Sequence, residues 1–516
     1  MADQMRGNEA PPTRGTAGEV FVVFLKLGLT SFGGPIAHLG YFRDELVTRR
    51  KWLGDGAYAD LVALCQFLPG PASSQVGFAL GMLRAGWLGA LAAFFAFTLP
   101  SALALLVFAM TAARMEGPVG VGALHGLKIV AVAIVAQAVL GMARTLCPDR
   151  QRAAIAVAAV AVLAFMPGIF GMAGAILLGA VAGPILGRGT PAPLGGHVAM
   201  PVTRAIAVAA LAVFLGLLVM LPLVAGGSQT LNVFESFYRA GALVFGGGHV
   251  VLPLLQAEVV QPGWVTADSF LAGYGAAQAL PGPLFTFSAY LGAVLGPQPN
   301  GMAGAAIALF AIFLPGFLVL IGVLPFWDRF RAMAKAQSLM QGANAAVVGI
   351  LGAALYSPLF TSAIGDIRDF ALALACFVLL VAWKSPPWIV VIVAALGGVA
   401  LGQARCTRGS GKRKAAKEWC SPAAGEISAT SGLRGGNAVL RDHGLVRQAW
   451  LLPLVFPEPQ RAGDEDAGER AGDHAGQQHE GKGVDRAAAE QEQRSCRQQG
   501  GAGGDDRAAQ RLADGT

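Results

Sequence analysis

Up to about Gly402 the chain is one apolar block after another, and this constrains its fold more than any other feature. The blocks Ala85–Ala112, Ile129–Ala143, Ala205–Val224, Gly301–Leu324 and Ile389–Leu401 contain no charged residue. Several reach the roughly 20 apolar residues that carry a helix across a bilayer, and the shorter ones suit tilted or broken segments. Soluble domains average about 25% charged residues, whereas this chain has 13%. The expected fold is an all-α polytopic membrane protein, and the lipid bilayer is its first partner.

An internal repeat organises the blocks. FLKLGLTSFGGPIAHL from Phe24 is matched by FYRAGALVFGGGHVVL from Phe237. Trp52 is matched by Trp264. Gln66-Phe67-Leu68-Pro69-Gly70-Pro71 is matched by Gln278-Ala279-Leu280-Pro281-Gly282-Pro283 at nearly the same offset. Thr98-Leu99-Pro100 then faces Phe313-Leu314-Pro315, and His125-Gly126-Leu127-Lys128 faces Gln341-Gly342-Ala343-Asn344. The expected division is a polar segment 1–17, a first repeat 18–190, a connector 191–230 with one span, a second repeat 231–402 and a disordered tail 403–516. Six apolar segments per half plus the connector Ala205–Val224 give about 12–13 membrane segments, broken or re-entrant in places. An even number plus one connector makes the halves inverted repeats, the plan of many secondary transporters.

Lys/Arg placement favours a cytoplasmic N-terminus, since Arg84, Arg144, Arg150, Arg204 and Lys384 fall on that side. Arg49-Arg50-Lys51 disagrees unless the first segment is re-entrant. The first twenty residues lack the basic-apolar-small order of a secretory signal, so insertion is expected to start from the first apolar block.

Glycine runs within membrane segments have two readings. Small residues let helices approach closely. Alternatively, Gly33-Gly34-Pro35, Gly246-Gly247-Gly248 and the two Pro-Gly-Pro elements break helices and free backbone N–H groups, which bilayers tolerate only beside protein or a water-filled cavity. Half-helix N-termini of that kind attract anions. Recurrence in both halves favours the cavity reading.

Lys26 and Arg239 lie at aligned places in these segments. Each either snorkels or supplies charge to an anion; Glu235 stands four residues before Arg239, whereas Lys26 has no acidic neighbour within a helical turn. His38 and His249 are read as structural residues or as proton-linked, oxyanion-binding groups. Gln66 and Gln278 offer amide donors, either to an oxyanion or to carbonyls freed by the prolines. Asp55 and Asp268 read as helix N-caps, and Glu45 and Glu258 as partners of nearby cations such as Arg43.

No nucleotide-binding loop, hydrolase motif, metal cluster or CxxC occurs, so neither an enzyme nor a primary pump is expected, and no cofactor or metal. The segments after Gly402 are charged and aperiodic, which favours disorder. Lys412-Arg413-Lys414 reads as a solvated run, and no nucleic-acid partner is expected.

FLKLGLTSFGGPIAHLGYFRDELVTRRKWL followed by CQFLPGP, and FYRAGALVFGGGHVVLPLL followed by QALPGP, resemble the chromate ion transporter family in its long, duplicated form. The resemblance covers roughly residues 18–402. It implies an inner-membrane secondary transporter exporting chromate and conferring chromate resistance, with coupling to protons or exchange for sulfate as options. Sulfate or another anion, carried in either direction, and a non-transporting scaffold are the alternatives. A homodimer is compatible with such a chain. The resemblance also marks Lys26, Gly33, Gly34, Pro35, Arg43, Pro69, Gly70, Pro71 and their second-half partners as residues that matter for transport.

Overall fold

The computed structural model describes residues 15–112, 114, 115, 117–186, 201–327, 329 and 333–408. Of the expected disordered tail 403–516, residues 403–408 instead continue the last helix, which runs to Arg408. The tail from 409 onward, and most of the polar segment 1–17, lie outside these residues. No strand occurs among the described residues. Seven helices are long and apolar enough to cross a membrane, and shorter helices make up the other apolar segments.

The first half begins with α1 (Ala17–Thr30) and α2 (Gly34–Phe42), which continues as a π-helical extension, Arg43–Arg49. Then come α3 (Asp55–Phe67), α4 (Ala72–Ala112), α5 (Gly117–Leu146), α6 (Arg150–Phe165) and α7 (Ile169–Leu186). The connector is α8 (Arg204–Val224). The second half supplies α9 (Gln229–Ala242), α10 (Val251–Val259), α11 (Ala267–Ala277), α12 (Phe287–Val294), α13 (Gly301–Val323), α14 (Ala334–Ala354), α15 (Ile367–Val381) and α16 (Pro387–Arg408).

Cap chemistry sets several boundaries. Thr16 accepts from the Glu19 N–H at α1, Asp149 from Arg152 at α6, and Thr266 from Ser269 at α11. Asp55 and Asp268 are not the caps expected of them. Gly54 and Thr266 hold the N-cap positions, and both aspartates stand inside the first turn.

Two re-entrant hairpins open each half. Phe24 on α1 packs edge-on against Phe42 on α2, with ring centroids 5.5 Å apart, and Phe97 closes on both. Helix α1 therefore runs inward, breaks after Thr30 and returns as α2. A second hairpin is formed by α3 and the first arm of α4, with Pro69-Gly70-Pro71 as its tip. Helix α4 is two helices: Ala85 and Gly86 leave helical geometry, and Gly86 takes φ 65°. The arms fold back so closely that a Cβ on Gly81 would stand 2.4 Å from the Gly89 carbonyl oxygen. In the second half a Cβ on Gly292 would likewise run into the Gly304 carbonyl oxygen, where α12 meets α13. Small residues permit such backbone approach in apolar surroundings.

The hairpins also explain the misplaced charges. Arg84 bonds Glu19 at 3.1 Å and sits 5.3 Å over the Trp52 ring. The start of α1, the end of the α2 extension and the α4 kink thus share one face, which brings Arg49-Arg50-Lys51 to the side of the N-terminus.

Candidate functional site

The four hairpin tips meet crosswise. Gly70 N–H, from the first Pro-Gly-Pro, donates to the Val244 carbonyl at 2.8 Å. Gly282 N–H, from the second, donates to the Ser31 carbonyl at 3.0 Å. Gly70 aligns with Gly282, and Ser31 with Val244, so the repeat relates the two junctions. Gly70 and Gly282 take φ 116° and 103°, a region that favours glycine. A Cβ on Gly70 would lie 2.8 Å from Gly316 Cα, and one on Gly282 2.8 Å from Ser101 Oγ. Between the breaks, a Cβ on Gly248 would stand 3.0 Å from Pro35. The His249 Nε2 points toward Gly34, 3.9 Å from where its Cβ would be. Gly33, Gly34, Gly246 and Gly247 all take positive φ as the chain turns. The glycine runs break the helices at the tips, while Gly28 and Gly241, outside the runs, serve close helix packing. Cβ atoms there would stand 2.9 Å from the Phe97 carbonyl oxygen and 2.2 Å from that of Ile312.

Lys26 and Arg239 are not free charges. Arg239 donates from Nε and Nη2 to both Glu258 oxygens at 2.6 Å, and from Nη1 to Glu235. Lys26 Nζ is 3.7 Å from Glu45, which also takes Arg49 and Arg50 at 2.9 and 2.8 Å. Glu45 aligns with Glu258, so each half ties its first helix to the returning helix by a cation–carboxylate strut. Arg43, exposed, pairs instead with Asp55 at 2.9 Å. Sequence reasoning could not give Lys26 its partner, because Glu45 reaches it only through the turn at the tip.

The remaining polar residues divide unevenly. His38 is buried, with Nδ1 3.3 Å from Ser73 Oγ and its ring edge-on to Phe97. Its Nε2 makes no well-formed side-chain hydrogen bond, although the imidazole also faces the Ser31 backbone, and the buried Ser31 Oγ and Thr98 Oγ1 have no partner. The aligned second-half positions hold Val244, Val251, Phe285 and Phe313 for Ser31, His38, Ser73 and Thr98. His249 Nδ1 is 2.9 Å from the Tyr274 hydroxyl. Gln66 is exposed, away from the buried tip contacts, whereas the Gln278 amide is buried beside the Tyr274 hydroxyl. The amide that ties off proline-freed carbonyls is Gln75, donating to Pro69 O at 3.0 Å and Gly316 O at 2.8 Å.

Two charged pairs went unmarked in the sequence. His125 Nε2 lies 2.8 Å from Asp369, whose side chain is wholly buried, and Lys128 Nζ lies 2.7 Å from Asp268. His125, Lys128, Asp268, Ser269 and Tyr290 line a cavity of about 590 Å³ between α5, α11 and α12. Among the described residues no group of three or more His, Cys, Asp or Glu could hold a metal ion.

The family model for chromate transporters matches residues 18–184 and again 231–399. The chain belongs to the chromate transporter family. The chromate transport protein of Pseudomonas aeruginosa is 30% identical over 75% of this chain and 93% of its own. Chromate transport proteins of Synechococcus elongatus (a probable one) and Cupriavidus metallidurans are each 28% identical, over 73% and 75% of this chain and 93% of theirs. No solved structure matches the chain. The two matches of this transporter family coincide with the two sets of hairpins, and its apolar helices make it a multi-pass membrane protein.

Proposed function

We propose that this chain is a secondary transporter that exports chromate, a tetrahedral oxyanion, across the inner membrane, with the anion passing where the hairpin tips meet. The crosswise junctions carry this reading. Backbone broken on both sides of one central contact is tolerated in a membrane where it lines a path. Two hairpin sets in inverted orientation let that contact open to one face and then the other. Gly33, Gly34 and Pro35 shape one tip, Gly246, Gly247 and Gly248 its counterpart, and the Pro-Gly-Pro elements close on them. Lys26 and Arg239, each paired with a glutamate, hold the hairpins in register.

Energetics support export. A dianion leaving an interior-negative cell gains about 2.3 kcal/mol per charge per 100 mV, or roughly 4.6 kcal/mol in all. That gradient suffices without a coupling ion; proton coupling or sulfate exchange would add to it. The basic face shared by Arg84 and Arg49-Arg50-Lys51 is then cytoplasmic. Purified protein in liposomes with an imposed potential should move labelled chromate toward the positive side, saturably and with sulfate as competitor. Absence of flux for both anions from folded, inserted protein would refute the proposal; sulfate flux without chromate flux would replace the substrate.

A further inference from the structure

The two tip junctions share a backbone frame but not a chemistry. At the first, Gly282 meets Ser31 beside His38, Ser73, Phe97 and Ser101. The Ser31 carbonyl takes the Gly282 N–H, Ser73 Oγ lies 3.3 Å from His38 Nδ1, and Ser101 Oγ donates to the Thr98 carbonyl at 3.1 Å. At the second, Gly70 meets Val244 beside Gly316 and the buried Gln75. The Gln75 Nε2 donates to the Pro69 and Gly316 carbonyls, and its Oε1, an acceptor, is unpaired. Val251, Phe285 and Phe313 hold the mirror positions of His38, Ser73 and Thr98. Ser31, His38 and Thr98 are each at most 1% exposed; the Ser31 and Thr98 hydroxyls have no partner, and His38 Nε2 has none beyond the Ser31 backbone it faces. Buried polar groups are ordinarily paired, because desolvation without a hydrogen bond is costly. Here the mirrors of Ser31, His38 and Thr98 are Val244, Val251 and Phe313, so the same frame closes with apolar side chains at these three positions. The unpaired atoms are therefore not forced on the chain by its fold.

We propose that the transported oxyanion is held at the first junction alone, by the hydroxyls of Ser31 and Thr98 and the imidazole Nε2 of His38, while the second junction, whose Gln75 amide is committed to the Pro69 and Gly316 carbonyls, is a pivot. This rests on the transport reading above. With the Ser73 hydroxyl donating to His38 Nδ1, the imidazole carries its proton on Nε2 and presents a donor. All three groups then donate, as an oxyanion without hydrogens requires. The first turn of α2, entered through Gly33 at φ 99° with Pro35 following, adds free backbone N–H groups. Withdrawal of the Gly282 tip releases its N–H from Ser31 and supplies one more. No unpaired cation stands among these donors, since Lys26 is answered by Glu45. Neutral donors suit a carrier, which must release a dianion as readily as it takes one up.

Labelled chromate binding to the purified full chain, together with flux in liposomes, tests the assignment. Ser31→Val and Thr98→Val each copy the size of the native side chain or its mirror, and each should weaken chromate binding at least tenfold with the melting temperature nearly unchanged. Thr98→Ser should restore most of it. Val244→Ser and Val251→Thr, at the pivot, should leave binding within twofold. Should His38→Val fail to fold, the Ser31 and Thr98 variants still decide the matter. Wild-type flux with Ser31→Val and Thr98→Val bound as tightly as wild type overturns the junction assignment alone, as do equal losses at both junctions. Wild-type protein that neither binds nor moves chromate or sulfate overturns the transport reading, and this assignment with it.

Discussion

Lys26 and Arg239 occupy aligned positions on aligned hairpins, yet their struts differ in kind. Arg239 spends its planar fork on Glu258 and Glu235, whose side chains are 4% and 9% exposed. Lys26 offers a point charge at 3.7 Å to a glutamate already shared by Arg49 and Arg50, and its own side chain is 55% exposed. A guanidinium matches a carboxylate in two bonds, whereas an ammonium makes a looser, exchangeable contact. One hairpin is thus clamped and the other latched. The latched hairpin carries Ser31 and His38, the polar side of the central contact.

The largest expected effect breaks the clamp. Arg239→Ala strands two buried carboxylates and should cost about 3–5 kcal/mol, while Lys26→Ala should cost about 0–1 kcal/mol. Denaturant unfolding in detergent reads both, and equal losses would erase the distinction. The two tips come next. Gly70→Ala sets a Cβ against the Gly316 backbone in a left-handed conformation, which should cost about 1–3 kcal/mol. Gly282→Ala has the same left-handed strain, but its nearest neighbour, the Ser101 hydroxyl at 2.8 Å, can rotate, and the nearest backbone atom, the Phe97 carbonyl oxygen, is 3.4 Å away, so its loss should be smaller in the same assay. Gln75→Ala removes the amide on Pro69 O and Gly316 O, for about 1–3 kcal/mol. Its mirror, Phe287, makes no such bond, and Phe287→Leu should not mobilise the second tip in hydrogen exchange.

The smallest effect lies outside the membrane. The Arg152 backbone N–H, and then its guanidinium, hold the Asp149 carboxyl below its usual range. A depressed folded value adds stability above the unfolded carboxylate value and loses it as pH falls through the folded one. Asp149→Ala should therefore cost about 1 kcal/mol at neutral pH and less in acid; a loss that grew on acidification would contradict the capping role.

Much of this was legible in the chain. The apolar blocks, the repeat, the breaks at glycine and the alignment of Glu45 with Glu258 all follow from local pattern, because lipid forces helices and duplication preserves spacing. The crosswise meeting of Gly70 with Val244 and of Gly282 with Ser31 was not legible, since a repeat shows that halves match but not that they interlock. Arg43 was matched to Glu45 on proximity in sequence, whereas the turn at the tip delivers Lys26. Ser31 and Thr98 passed as ordinary hydroxyls. A signal for them existed in the places where the repeats disagree, Ser31 against Val244 and Thr98 against Phe313. His125 and Asp369 had no such signal, because their pairing joins α5 to α15 across the length of the chain.

The measurement that tests the central claim most directly is thiol protection at the two junctions. In a chain with Cys65, Cys147, Cys376, Cys406, Cys420 and Cys496 replaced by alanine, Ser31→Cys and Val244→Cys would each be labelled during turnover in liposomes, with and without chromate. Chromate should slow labelling at residue 31 and leave residue 244 unchanged. Equal protection at both, or at neither, would contradict a path that holds its anion on one side of the central contact.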